Sequence, residues 1–284
     1  MNKSGQNGFR HIKVNGTLRE IYAFDSMASV NRFCSPNKYK KGGSGFVGRE
    51  MSDSWADVVE TSNEKWEEGM DILLTYVNKL KDVELPKIKS RNRSSSFDFS
   101  GDGEFDFERF MEGEAFTRKD ERESSSGPPT ITITIDTSTP YHHDSLDILW
   151  RGAAALALAA KVEKNGYRAE IWVINGSKLF YGSPHGIMTA CLLKRPEDPM
   201  DMSTLVNTVS GWFYRSITFC LLDSVCEYAN MPTAAGYGPV YNPTMDDLKE
   251  LSLDINSVYV SGVFSFNGAY QMVLAELEKF KTEV

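Results

Sequence analysis

The spacing of apolar residues changes period along this chain, and each change marks an element. Thr130-Ile131-Thr132-Ile133-Thr134-Ile135-Asp136 is a β-branched run, which predicts a strand started by Pro128-Pro129 and ended by Asp136-Thr137-Ser138-Thr139-Pro140. From Leu146 the apolar positions Leu149, Trp150, Ala153, Ala154, Leu156, Ala157 and Ala160 recur three and four apart, the stripe of an Ala-rich helix closed by Asn165-Gly166. Ala169-Glu170-Ile171-Trp172-Val173-Ile174 is again of strand type, bounded by Asn175-Gly176. Strand, crossover helix and strand make a βαβ unit, which implies parallel pairing and a right-handed crossover.

The same periods organise the rest. Ile187 to Leu193 reads as a third, fully apolar strand stopped by Lys194-Arg195-Pro196, and Ser257 to Val260 as a fourth. Helices are predicted from a Ser203 or Thr204 cap through Val209, over 213–228, over 246–253 and over 267–281. The alternation predicts a three-layer α/β domain over 128–284, a mostly parallel, Rossmann-like sheet flanked by helices. Residues 1–127 form a helical and loop-rich N-terminal extension. It holds strand-like pieces at His11–Val14 and Leu18–Phe24 and a helical region over 54–81. There Thr61-Ser62-Asn63-Glu64 fits a capping box, Trp66, Met70, Leu73, Leu74, Val77 and Leu80 form one stripe, and Pro86 ends the segment.

Charge changes the picture within that extension. Lys87, Lys89, Arg91 and Arg93 alternate, so in an extended chain they share one face in a row about 7 Å apart, near the phosphate spacing of an extended single strand. The sign then flips. Asp98, Asp102, Glu104, Asp106, Glu108, Glu112 and Glu114 stand against Arg109 alone, yet Phe97, Phe99, Phe105, Phe107 and Phe110 lie among them. So many aromatics predict a segment that docks. Residues 118–127, charged and Ser-rich, read as a linker. A second basic loop, Asn37-Lys38-Tyr39-Lys40-Lys41-Gly42-Gly43-Ser44-Gly45-Phe46, lacks the GK[ST] of a P-loop. It reads either as a plain surface loop or as a site where Lys38, Lys40 and Lys41 meet phosphates while Tyr39 and Phe46 stack on bases.

Composition narrows the classes. The chain has 284 residues and a formal net charge of −8, which argues against blanket attraction to nucleic acid and leaves only local basic tracts. A polar start at Met1 to Gln6 and the lack of any eighteen-residue apolar run predict a soluble, unsecreted protein with no membrane association. Cys34, Cys191, Cys220 and Cys226 form no CxxC pair, and three lie in apolar runs, so buried reduced thiols are expected rather than disulfides or zinc. No Gly-x-Ser-x-Gly elbow with the right spacing or arguable Ser/His/Asp set is present, and a non-enzymatic protein is expected.

The loop Asp136-Thr137-Ser138-Thr139-Pro140-Tyr141-His142-His143-Asp144, at the end of the first βαβ strand, resembles the Asp-x-Ser-x-Ser metal loop of von Willebrand factor A-type domains. Only Asp136 and Ser138 match. Pro140 stands at the third ligand position and has no oxygen side chain for a hard cation, so a metal-free, degenerate version with no cofactor is implied. Along the whole chain, the Ser-Trp-Ala-Asp helix, Trp-Glu-Glu-Gly, Gly-Asp-Gly-Glu-Phe-Asp, Ile-Asp-Thr-Ser and Leu-Lys-Arg-Pro-Glu-Asp-Pro-Met-Asp resemble a tailed-phage family with such a domain. In size and layout this group is similar to the single-stranded-DNA-binding RNA polymerase cofactor of N-four-like podoviruses. That resemblance implies a transcription cofactor in the host cytoplasm whose partners are single-stranded DNA and the phage RNA polymerase. Its contacts would be Lys38, Tyr39, Lys40, Lys41, Lys87, Lys89, Arg91 and Arg93, with Tyr141 or Trp212 as further stacking faces. The alternative is a non-enzymatic protein-interaction module of the A type, with or without a metal at Asp136 and Ser138. Oligomeric state is left open.

Overall fold

The computed structural model describes residues 8–14, 19–43, 47–81, 95–99, 104–120, 128–140, 142–178, 183, 185–231, 243–251 and 257–279. The basic tract Lys87, Lys89, Arg91 and Arg93 lies outside them, as do Phe46 and Tyr141. No helix among the described residues is long and apolar enough to cross a membrane.

A mixed six-stranded sheet carries the fold, built from β1 (Phe9–Lys13), β2 (Arg19–Phe24), β6 (Thr130–Asp136), β7 (Arg168–Lys178), β8 (Gly186–Lys194) and β9 (Val258–Val260). Their order is β1-β2-β8-β7-β6-β9. Pairing is parallel for β6 with β7, β6 with β9 and β2 with β8, and antiparallel for β1 with β2 and β7 with β8. The βαβ unit therefore stands as read, with α5 (Leu149–Lys164) as its crossover helix. The third strand pairs with its predecessor as a hairpin, because too few residues separate Lys178 from Gly186 for a crossover. Both early strand-like pieces enter this same sheet, through β2 on β8.

Register sorts the side chains. Ile131, Ile133 and Ile135 share a face with Ile171, Val173 and, across the hairpin, Cys191. Over the β6–β7 half of that face pack α5, α3 (Glu67–Lys81) and α9 (Phe266–Glu278). Over the β8–β2 half lie α1 (Met27–Phe33) and the helical stretch running from Gly211–Phe213 through a π turn, Tyr214–Thr218, into α7 (Phe219–Tyr228). The opposite face, with Ile21, Ala23, Trp172, Ile174, Met188 and Ala190, is backed among the described residues by the short α8 (Met245–Glu250) and Leu251. Among the described residues the helical layers are thus unequal, with most of the helices on one side.

The Ala-rich sequence of α5 explains its central place. Small side chains let helix and sheet approach closely, and Leu149 to Ala159 are buried all round. Gly152 shows how close: a Cβ there would lie 2.6 Å from Cγ2 of Val209 and 3.3 Å from Cδ1 of Leu73. A helix buried on every side must also bury its charges in pairs. At its far end Glu163 meets Lys194 at 3.0 Å, with Lys194 also donating to the Ala169 carbonyl at 2.8 Å.

The 54–81 region divides into α2 (Trp55–Asn63) and α3. The capping box at Thr61 to Glu64 does not form, because Ser54 caps α2 by accepting from the Asp57 amide and Ser62 donates to the Val59 carbonyl. The acidic aromatic segment docks as its phenylalanines predict. It folds into a small sheet of β3 (Ser95–Asp98), β5 (Thr117–Asp120) and β4 (Glu104–Phe105) with the one-turn α4 (Phe107–Met111). Phe105 and Phe107 enter the main core beside α5, Phe110 and Phe116 pack on it, and Phe99 stays exposed.

Candidate functional site

The chain leaves β6 through α5 to β7 on one side and returns through β9 on the other, so the switch point of the sheet falls between β6 and β9. Ligands of open α/β sheets collect beyond the carboxyl ends of such strands. Here that place is built by the loop after Asp136 and by Ser261 to Phe264 after β9.

Asp136 is buried, and each carboxylate oxygen has a donor: the Ser138 amide at 2.9 Å on Oδ1 and the Tyr259 hydroxyl at 2.9 Å on Oδ2. Burial raises its pKa above the ordinary value, opposed by the Arg151 guanidinium and by the Ser138 and Tyr259 hydrogen bonds. The loop is then stitched to β7. Ser138 Oγ accepts the Gly176 amide at 2.8 Å, and Thr137 donates to Asn175 Oδ1 at 2.6 Å. Thr139 folds back on the Thr137 carbonyl at 2.8 Å.

Arg151, one turn into α5, supplies the positive charge. Only 1% exposed, it donates through Nη1 to the main-chain carbonyls of Asp136 and Ser138, the second at 3.0 Å. Its guanidinium carbon lies 4.4 Å from the Phe264 ring centroid, a cation–π contact. His143 stacks on Phe264 with centroids 3.6 Å apart and planes 5° from parallel, and Arg215 holds its carbonyl at 2.8 Å. Burial lowers the His143 pKa, with the neighbouring His142 next in effect. His142 and Asp144 remain exposed at the rim.

This donor set does not fit a hard divalent cation. Asp136 and Ser138 already take donors from the chain, Pro140 offers no side-chain oxygen, and a guanidinium stands within the loop. Among the described residues no three His, Cys, Asp or Glu side chains are grouped to hold a metal.

The basic loop is elsewhere, against α7, and its charges are matched. Lys38 reaches Glu227 at 3.3 Å, Lys40 reaches Asp223 at 3.1 Å and Lys41 reaches Asp53 at 2.7 Å. Tyr39 donates to the Ser52 carbonyl at 2.7 Å, its ring lies 5.8 Å from that of Trp55, and burial pushes its hydroxyl pKa up to about 12. Trp212 is 2% exposed beneath Arg49, so it presents no free face for a base. Arg151, Arg215, Tyr259 and Phe264, which complete the switch-point site, were not singled out from sequence. Arg151 alone carried a signal, as a charge inside a helix apolar on all sides.

A family model for a domain of unknown function, DUF7192, matches residues 13–282. The chain belongs to this family. The match runs from the end of β1 past α9, so DUF7192 spans both the N-terminal segments and the βαβ core. No curated protein and no solved structure matches the chain.

Proposed function

We propose that this DUF7192 chain is a non-enzymatic protein-interaction module of von Willebrand A-like layout that works without a metal, taking a protein partner at the rim of the β6–β9 crevice. The observation that carries the reading is Arg151. Its guanidinium supplies inside the Asp136 loop the positive charge that a cation would otherwise supply, and it ties the loop's carbonyls to α5. The layout agrees with it, since β6 ends in Asp136-Thr137-Ser138 and is followed by a helix and a parallel strand. At the rim, exposed His142 and Asp144 stand beside the His143–Phe264 stack, an aromatic centre with a polar surround of the kind protein interfaces use.

Single-strand binding through the Lys38–Lys41 loop is the weaker reading, because each lysine there already has a carboxylate partner. One experiment separates the two. Affinity capture in EDTA from the cells that encode the chain is compared for wild type and a His142→Ser/His143→Ser variant of matched melting temperature. Anisotropy with a labelled DNA strand is measured over a salt series alongside. The expected result is a protein partner retained in EDTA and lost in the rim variant. Capture that requires magnesium overturns the metal-free reading, and salt-dependent DNA binding indifferent to the rim substitutions replaces it with single-strand binding.

A further inference from the structure

We propose that the small pocket between the β7–β8 hairpin and the π turn is a binding site for one water molecule, held by the hydroxyls of Thr189 and Thr218. The cavity has about 10 Å³ for the centre of such a molecule, close to what one water needs. It is lined by Val173, Asn175, Thr189, Thr208, Phe213 and Thr218 among others, and no charged side chain faces it. Thr189 and Thr218 are 2% and 1% exposed, and neither hydroxyl has a hydrogen-bond partner among the described residues. The wall is otherwise mostly apolar, so these two orphaned hydroxyls are what would retain a water there, since an unmet buried polar group is costly and a pocket without such groups stays dry.

Thr218 differs from the other hydroxyls of these helices. Helical hydroxyls nearby donate to the carbonyl four residues back: Thr208 to Thr204 at 2.5 Å, Ser224 to Cys220 at 2.8 Å and, within the π turn itself, Ser216 to Trp212 at 2.6 Å. Thr218 ends the π turn, and its hydroxyl makes no such bond and lines the pocket instead. Thr189 faces it from β8, in register with Asn175. Asn175 Oδ1 already accepts from Thr137, so the site lies one side chain from the Asp136 loop and would couple the π turn to it. A wall without charge disfavours an ion, and two hydroxyls, each able to give and accept, suit a neutral water.

The test uses water-to-amide cross-relaxation by NMR on the full chain, together with melting of Thr189→Val, Thr218→Val and the double variant. Valine keeps the volume and removes the hydroxyl. Expected are a cross-peak at Thr189 or Thr218 with the sign of a water that tumbles with the protein, its loss in the double variant, and single-variant melting temperatures lower by at least about 2 °C. The double variant should fall by less than the sum, because both hydroxyls share one water. No cross-peak in wild type, a cross-peak that survives the double substitution, or valine variants that melt at or above wild type each overturn the proposal, the last because unpartnered hydroxyls gain by removal.

Discussion

Replacing Arg151 by Met tests the site most severely. The substitution keeps the length of the buried stem and removes the guanidinium, leaving the Asp136 and Ser138 carbonyls without that donor and the Asp136 carboxylate without the nearest positive charge. Leaving two buried carbonyls unmet and a buried carboxylate without its compensating charge costs about 3–5 kcal/mol. For a chain of this size, that corresponds to a melting temperature lower by roughly 6–20 °C. The sign of the pH effect follows from Asp136. A carboxyl whose folded pKa lies above its unfolded value, here 3.8, binds its proton more tightly when folded, so its ionisation removes stability as pH rises through the folded pKa. Arg151 holds that pKa down, so without it the penalty near neutral pH grows. The deficit of the variant should therefore shrink as the pH falls from neutral toward the ordinary carboxylate range. Asp136→Asn added to Arg151→Met should recover part of the loss, with a coupling of about 0.5–3 kcal/mol. Differential scanning calorimetry across that pH range decides. A variant within 2 °C of wild type, or a deficit that widens on acidification, refutes the assignment of Arg151 as the charge that holds the loop.

Other outcomes follow from the same geometry. Melting in excess EDTA and in excess magnesium should coincide, whereas a working metal site at a hundred times its Kd would add about 2.7 kcal/mol in magnesium alone. In urea titrations Phe107→Ala should lose about 3–5 kcal/mol and open residues 104–116 to protease, since Phe107 is 1% exposed in the core beside α5. Phe99→Ala, at a ring 66% exposed, should stay within about 0.5 kcal/mol of wild type. On a labelled DNA strand, changing Lys38, Lys40 and Lys41 to Ala should leave the salt slope unchanged; a slope flattened by about 0.7 per lysine would restore the loop to phosphate binding.

What could be read from sequence was local. The β6–α5–β7 unit was legible because period-two and helical spacing lie within one stretch and the crossover rule does the rest. Sheet membership of β1 and β2 was not, since β2 pairs with β8, far along the chain, and an edge pairing leaves no mark in either strand alone. The antiparallel β8 was legible in principle: the interval between Lys178 and Gly186 is shorter than the dozen or so residues a parallel crossover requires. The capping box failed for a competing local reason, Ser54 being the better placed cap. Charge misled for a different one. Lys38, Lys40 and Lys41 look like free cations in sequence because two of their partners, Glu227 and Asp223, come from α7. Arg151 looks like one charge on an Ala-rich helix because its acceptors are main-chain carbonyls. A residue type states which charge the chain carries; whether that charge is open to a partner depends on which acceptors the fold brings beside it. Pattern therefore located the loop after Asp136, and only three-dimensional pairing distinguished the matched lysines from the buried guanidinium that closes it.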